Sequence, residues 1–302
     1  YADGYLQPMT DAFGANMNAG LFRNADVDAG FLPLIPIQLY VGVNVSGVPT
    51  GSLNKSFLPP AEETLSDGTT VTFDGDRVPT VFGDTDTPDN ATLTVREPGP
   101  DGEEFTIAAP PGLISTPIAP LVMPQLGIGT AFGTDAQIRY FPKSKLSAGR
   151  GSYGTVGLFG LALRHDLNQW IPAPLPLKLA VQGSYNQFTL ENEFEVDGST
   201  QSEEVVSASG WAFNLHASRS IPLLPFTVYG GLQYERFTMD YSYTFNPSQA
   251  DAPLGVELSQ TAANRTRALA GLSFTFTFFH LNADYAIGSA NNVLTTAIGL
   301  RL

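Results

Sequence analysis

Apolar and polar residues alternate along much of this chain, and the clearest stretch spans positions 265–278. One set of alternate positions is apolar: Ala268, Ala270, Leu272, Phe274, Phe276 and Phe278. The intervening set is small or polar apart from one leucine: Arg265, Arg267, Leu269, Gly271, Ser273, Thr275 and Thr277. Because successive side chains of a β-strand point to opposite faces, this alternation predicts a strand with one apolar face.

The same alternation predicts strands in further stretches of the chain. They lie near 37–46, 124–132, 135–145, 151–166, 177–186, 210–218, 226–235, 281–288 and 294–302. For 151–166 the pattern does not decide which face is which. The count predicts about ten antiparallel strands, within a range of roughly eight to fourteen, and the first strand begins near Ile35.

The polar faces of these strands carry mostly Gly, Ser, Thr, Asn and Gln, with few charges. The solvent face of a soluble sandwich usually carries many Lys and Glu residues. A charge on the apolar face would cost ~2–4 kcal/mol in lipid, and almost none occurs there. The pattern therefore favours an all-β fold, a closed antiparallel transmembrane β-barrel, over a soluble sandwich.

The connections alternate between short and long, as in outer-membrane barrels with short periplasmic turns and long extracellular loops. With the C-terminus on the periplasmic side, the inner turns are predicted at 131–136, 167–176, 219–225 and 278–281. The outer loops are predicted at 50–120, 145–151, 191–204, 246–257 and 288–292. Trp170, at an inner turn, is suited to anchor the barrel at a membrane interface.

Residues 1–30 precede the first predicted strand. The stretch Tyr5–Met17 is compatible with a short helix that has Thr10 or Asp11 near its start. If this segment enters the barrel it forms a lumenal plug. An additional N-terminal strand or a frayed tail are the alternatives, and the sequence leaves all three open.

The predicted extracellular insertion 51–120 is long enough to carry structure of its own. Short strands are predicted at 69–74, 92–96 and 104–108. The following stretch, 108–126, is apolar but contains five prolines. Since proline cannot donate to a ladder, no regular strand is expected before Gln125. The stretch is interpreted either as a hydrophobic flap or as a packed loop that seals the top of the barrel.

Composition narrows the possible locations and partners. The 302 residues include no cysteine, 15% are charged, and the formal net charge is −14. Such acidity disfavours a nucleic-acid partner, which usually requires a basic patch. The chain begins at Tyr1 rather than at a methionine, so we expect an exported, bacterial outer-membrane protein whose signal peptide has been removed. A single barrel domain over 1–302 is predicted.

Ten polar residues are predicted to face the lumen and are candidates for ligand contact. They are Lys178, His216, Tyr229, Gln233, Glu235, Arg265, Arg267, Asp284, Arg139 and Arg301. In a barrel this narrow, such charges are expected to form a structural network that closes the pore. A polar gate, or a guide for the head group of an amphipathic ligand, is the alternative.

No catalytic or metal-binding arrangement stands out in the sequence. The three histidines lie too far apart for a local metal motif. His165 and His280 are expected to be solvated at inner turns, and His216 to be hydrogen-bonded in the lumen. No enzyme activity, cofactor or metal is predicted.

Short phrases of the sequence resemble poorly characterised outer-membrane barrels of the Bacteroidetes and Rhodothermus type, which are distantly related to the FadL-type transporters of hydrophobic compounds. The phrases are Phe132-Gly133-Thr134-Asp135, Arg139-Tyr140-Phe141-Pro142 and Leu163-Arg164-His165-Asp166-Leu167. The resemblance implies an N-terminal lumenal hatch and passive uptake or binding of small hydrophobic or amphipathic compounds. It also implies contact with outer-membrane lipid or lipopolysaccharide and a lipid-like or detergent molecule in the lumen. The chain is shorter than that family, with fewer strands. A non-transporting structural or partner-binding barrel with a sealed lumen is the alternative.

Overall fold

A computed structural model describes residues 1–25, 27, 37–65, 68–99, 102–130, 132–148, 151–172, 175–196, 200–245 and 254–301. The predicted strand start near Ile35 lies outside these residues, as do positions 246–253 of one predicted outer loop. The helix is α1 Ala2–Met17, and short 3-10 helices span Thr50–Ser52 and Asn168–Trp170. The strands are β1 Ile37–Pro49, β2 Ser56–Phe57, β3 Glu62–Thr64, β4 Thr70–Gly75, β5 Val78–Pro79, β6 Ala91–Arg96, β7 Glu104–Ala108, β8 Ile118–Thr130, β9 Thr134–Ala148, β10 Gly151–Asp166, β11 Lys178–Val196, β12 Thr200–Ser220, β13 Phe226–Phe245, β14 Leu254–Thr261, β15 Thr266–Phe276, β16 Phe279–Gly288 and β17 Val293–Arg301.

The largest sheet closes on itself as an antiparallel barrel. Its strand order is β12-β11-β10-β9-β8-β1-β17-β16-β15-β13-β14, and β12 also pairs with β13. One half of β13 pairs with β15 and the other half with β14. The closed barrel therefore has ten strands, with β14 as an extra strand, and the predicted fold class is confirmed.

The barrel wall is apolar outside and mainly polar or small inside, which is the reverse of a soluble protein. In β17, Leu294 and Ile298 are 47% and 58% exposed, whereas Thr295 and Ala297 between them are buried. The same alternation of exposed and buried positions runs through β16. Among the described residues, no helix is long and apolar enough to cross a membrane.

The chain divides into two compact units. The larger unit contains Phe13–Val48 and Pro120–Leu302 and includes most of the barrel. The smaller unit contains Tyr1–Ala12 and Pro49–Ala119. It has a sheet in the order β3-β4-β6-β7, and its core residues are Phe73, Val78, Ala91, Leu93 and Ala109. The predicted strands of the insertion are present at β4, β6 and β7, and the expectation of a single domain stays a prediction.

Strand β8 begins at Ile118, so the expectation of no strand before Gln125 was wrong. Pro120 and Pro124 both lie within this strand. Proline fixes φ at a value that an extended chain tolerates, and it removes only one donor. The register between β8 and β9 begins at Gln125, beyond both prolines. The prolines therefore interrupt no bond of that ladder.

Two predicted outer loops are largely strand. Strands β11 and β12 stay paired from Lys178↔Ser218 out to Val196↔Thr200, through most of the predicted loop 191–204. Strands β9 and β10 likewise continue into the predicted loop 145–151. Ladder bonds join backbone groups, so a hairpin can continue where the side chains no longer alternate.

Helix α1 begins at Ala2, so Thr10 and Asp11 are not at its start. The Asp11 carboxylate accepts a hydrogen bond of 2.9 Å from the Gln7 amide, one turn earlier in the helix. That side chain joins an i,i+4 pair and does not cap the helix. The sequence indicated a helix correctly but placed its N-terminus too late.

Candidate functional site

Residues 13–25, called here the plug segment, lie inside the barrel. They include the end of α1 and the chain that follows it. Ala15, Met17, Leu21 and Ala25 are at most 1% exposed. Side chains on the inner face of the wall bind the backbone of this segment at successive positions, as the following contacts show.

Two arginines bind the C-terminal end of α1. Both terminal nitrogens of Arg267 donate to the Ala15 carbonyl at 3.1 Å. Arg139 donates to the carbonyls of Met17 at 3.0 Å and Ala19 at 2.6 Å. The last carbonyls of a helix lack intrahelical donors and carry the negative end of the helix dipole. Cationic donors therefore fit this position both as hydrogen-bond partners and by charge.

Other wall strands bind the chain beyond the helix. Gln233 of β13 donates to the Asn18 carbonyl at 3.1 Å, and Asn44 of β1 donates to the Gly20 carbonyl at 3.3 Å. Arg164 of β10 donates to the Asn24 carbonyl. The Ala25 amide donates to the Ser218 hydroxyl of β12 at 3.0 Å. Since β1, β10, β12 and β13 lie at different positions around the wall, the segment is held across the lumen.

Two buried ion pairs hold the wall arginines in place. Arg267 contacts both carboxylate oxygens of Glu235 at 2.5 and 2.7 Å, and Gln233 donates to the same carboxylate. Arg164 pairs with Asp135 of the neighbouring strand β9. Arg267, Glu235, Arg164 and Asp135 are all almost fully buried. A buried charge pair is costly to break, because the remaining partner stays uncompensated.

A polar and aromatic cluster surrounds Phe22 of the plug segment. The Phe22 ring lies 3.2 Å from the His216 ring and 5.0 Å from the Tyr229 ring, measured between centroids. Tyr229 donates to Asp284 at 2.8 Å. Neither ring nitrogen of His216 has a hydrogen-bond partner among the described residues, so the expected hydrogen-bonded histidine was wrong.

Most of the predicted lumenal residues meet at this site, but two do not. Lys178 and Arg265 are exposed. Lys178 is the first residue of β11 and Arg265 precedes β15, so the alternation was followed to the very end of one strand and past the start of the other. Arg301, at the end of β17, is partly buried and lines a small cavity with Arg23, Arg164 and His280.

The histidines near the predicted inner turns are more enclosed than expected. His280 is 3% exposed, and its Nδ1 lies 3.0 Å from the Thr275 hydroxyl, so the expected solvated side chain was wrong. His165 is partly buried, with Nδ1 2.8 Å from the Thr134 hydroxyl and Nε2 accepting from Trp170 at 2.9 Å. Across the described ranges, no three His, Asp or Glu side chains are placed to hold a metal ion.

Several residues of the site escaped the sequence analysis. Arg164 lies on the inner face of β10, opposite Leu161 and Leu163, and this alternation was the signal that would have found it. Asp135 falls in a phrase noted only for its resemblance to a family. Many of the acceptors are backbone carbonyls of the plug segment, and the pattern of side chains in the sequence cannot predict them.

A groove of about 970 Å³ runs along the outside of the wall. Its apolar lining includes Leu163, Phe213, Leu232 and Ile287, all more than half exposed. Gly183 lies between Leu163 and Phe213 in the strand register. Because glycine has no side chain, the wall is indented at that position.

The fold and its interior define a closed ten-stranded β-barrel whose lumen is occupied by the chain's own N-terminal segment. The chain belongs to a family of unknown function, DUF6588, whose sequence profile matches residues 1–302. No curated protein matches the chain significantly.

Comparison with solved structures gives matches to bacterial proteins at low sequence identity. The translocator domain of the autotransporter NalP from Neisseria meningitidis is 11% identical, with 88% of this chain and 87% of that chain covered and a TM-score of 0.28. For Omp33, an outer membrane protein from Acinetobacter baumannii, the identity is 12%, the coverages are 88% and 98%, and the TM-score is 0.27. Ail, the attachment invasion locus protein of Yersinia pestis, is 18% identical, with 56% of this chain and 94% of that chain covered and a TM-score of 0.27.

Proposed function

We propose that this protein is an outer-membrane barrel that its own plug segment keeps sealed at rest, and that it acts as a structural or partner-binding protein. The observation that carries the proposal is the binding of Arg139 and Arg267 to the end of α1 inside the lumen. No catalytic role is part of the proposal. Outer-membrane lipid or lipopolysaccharide is the expected partner of the wall.

The apolar wall supports insertion in a membrane. Outward side chains such as Val41, Leu126, Leu215 and Ile298 are between 49% and 58% exposed, and they belong to strands distributed around the barrel. A soluble monomer rarely exposes so large a continuous apolar surface. A closed barrel also satisfies every ladder hydrogen bond internally, which a strand in lipid requires.

The plug contacts support a sealed resting state. A barrel of roughly this size has an interior that side chains alone nearly fill, and here a helix end and its following chain enter as well. The segment is bound by side chains from β1, β9, β10, β12, β13 and β15. Freeing it requires breaking charge-assisted bonds on several sides at once, so spontaneous opening is expected to be rare.

Planar-bilayer conductance tests the seal. The wild-type barrel is expected to show no steady conductance. The double variant Arg139→Gln/Arg267→Gln removes the cationic donors to α1, and it is expected to show frequent opening steps. Arg236→Gln, a change at an exposed position of β13, is the matched control and should stay closed. Stable open-pore conductance of the wild type would refute the seal.

The wall groove favours a second candidate, the passive uptake or binding of small hydrophobic or amphipathic compounds. Its volume of about 970 Å³ is of the size that a lipid chain or a drug-sized molecule fills. Gly183→Leu adds an apolar side chain within the groove, whereas Val41→Leu enlarges the wall elsewhere. Native mass spectrometry after gentle extraction should show a bound lipid-like molecule that the first variant loses and the second keeps. A wild-type protein that carries no such molecule would exclude this candidate.

A further inference from the structure

A small cavity lies at the end of the lumen where β17 ends. Arg23 and Asn24 of the plug segment line it, together with Gln38, Tyr40, Arg164, His280 and Arg301 of the wall. Three of these seven side chains carry guanidinium groups. Asp135, a buried carboxylate of β9, already binds one of them, Arg164. The cavity is therefore rich in positive charge and in hydrogen-bond donors.

Several donors that line the cavity have no acceptor. Arg23 is 7% exposed, and its guanidinium lies 3.7 Å from the centroid of the Tyr40 ring. Among the described residues, no hydrogen-bond acceptor contacts that guanidinium. The Tyr40 hydroxyl and His280 Nε2 are also buried without a hydrogen-bond partner in the described part of the chain. Buried polar groups are normally satisfied, so these donors require an explanation.

One ring nitrogen of His280 has a hydrogen-bond partner, and the other, Nε2, has none among the described residues. Its Nδ1 lies 3.0 Å from the Thr275 hydroxyl, which is able to donate to it. In that tautomer Nε2 carries the proton and points a third donor into the cavity. Arg23, Tyr40 and His280 then each have a hydrogen-bond donor without an acceptor.

We propose that this cavity binds one monatomic anion of the size of chloride. The free space of about 10 Å³ holds one water-sized particle, so a whole phosphate does not fit. A water molecule would bring its own two protons into a site that already has donors in excess. An anion accepts from all of them and offsets the charge of the arginines.

The position of Arg23 gives the anion a structural consequence. Arg23 belongs to the plug segment, whereas Tyr40 and His280 belong to β1 and β16 of the wall. An anion bound between them connects the plug segment to the wall. Occupancy is therefore expected to stabilise the inserted plug segment.

Chloride-dependent thermal stability in detergent tests the site in the full-length protein. At constant ionic strength, replacing sodium gluconate with sodium chloride should raise the melting temperature with saturation. In Arg23→Gln the chloride concentration for half of the effect should rise about tenfold or more, because a hydrogen bond to a charged group is lost. Arg219→Gln, at an exposed position near the end of β12, is the control and should match the wild type.

A second variant and a direct observation test the anion site even if Arg23→Gln fails to fold. Tyr40→Phe keeps the ring under Arg23 but removes the hydroxyl, and it should weaken the chloride effect while the barrel stays folded. Crystals grown in bromide should show one anomalous peak among Arg23, Tyr40 and His280. Equal stabilisation by gluconate and chloride, an unchanged response in both variants, or a cavity without bromide would each overturn the proposal.

Discussion

Arg139, on the inner face of β9, donates a hydrogen bond of 3.0 Å to the carbonyl oxygen of Met17, a residue 122 positions earlier in the chain. The same guanidinium also donates to the Ala19 carbonyl, so one side chain binds the helix end and the chain that follows it. Arg139 is completely buried. This contact fixes where α1 ends inside the barrel.

Arg139→Gln is expected to lower the free energy of unfolding by about 2–4 kcal/mol. The shorter amide cannot reach both carbonyls, and each buried acceptor left unsatisfied costs ~1–3 kcal/mol. Urea titration in lipid vesicles, followed by tryptophan fluorescence, measures the change. Arg236→Gln should shift the unfolding free energy by no more than about 0.5 kcal/mol. Equal effects of the two substitutions would show that the plug contacts contribute nothing.

The Arg267–Glu235 pair is expected to be strongly non-additive. Glu235→Gln leaves a buried guanidinium without its counter-charge and should cost about 3–5 kcal/mol. Arg267→Met alone leaves a buried carboxylate and should cost a similar amount. The double variant removes both charges, so its cost should be clearly less than the sum. A double-mutant cycle by chemical denaturation provides the measurement, and strict additivity would contradict the pairing.

The free-energy cost of a charge on the outer wall should depend on how deep in the membrane that charge lies. Leu232→Arg, in the exposed apolar row of β13, is expected to cost about 2–4 kcal/mol in folded bilayer-inserted protein. Leu224→Arg, in the turn between β12 and β13, should cost only about 0–1 kcal/mol, because an arginine near the interface reaches water. Both leucines are more than half exposed, so they form a matched pair. If the two substitutions cost the same, the wall does not face hydrocarbon.

The smaller unit should depend on its own core. Phe73 is packed with Val78 and Leu93, and Phe73→Ala is expected to destabilise this unit by about 3 kcal/mol or more. Phe105→Ala removes the same ring at a half-exposed site and should cost less than about 1 kcal/mol. Limited trypsin digestion should cleave the first variant faster at Lys55, Arg77 or Arg96. Equal cleavage rates would argue against a packed core.

The barrel was predictable because its signal is local. Apolar residues recur at every second position within a single strand, as from Ala268 to Phe276. This pattern alone predicts which face of the strand meets an apolar environment. The strand count followed from the repetition of that pattern. The strand ends were less predictable, since the paired backbones of β11 and β12 continue out to Val196 and Thr200 without apolar alternation.

The interior of the site was only partly predictable. Side-chain polarity indicated Arg139, Gln233, Glu235 and Arg267 as lumenal, but their acceptors are backbone carbonyls that every residue has. Side-chain polarity therefore predicts the donors but not the groups that they bind. The position of residues 13–25 in the lumen depends on contacts between residues more than a hundred positions apart, which no local sequence pattern predicts.

The absence of cysteine from the sequence allows a direct test of the plug segment in the lumen. The Ala25 amide lies 3.0 Å from the Ser218 hydroxyl, so cysteines at these two positions should cross-link rapidly under mild oxidation. Ala217 directly precedes Ser218 in β12 and points to the opposite face, so the pair Ala25→Cys/Ala217→Cys should not cross-link. Mass spectrometry of the digested protein identifies the bond. Selective formation of the 25–218 disulfide is the expected result, whereas no cross-link in either pair, or equal cross-linking in both, would contradict a plug held inside the barrel.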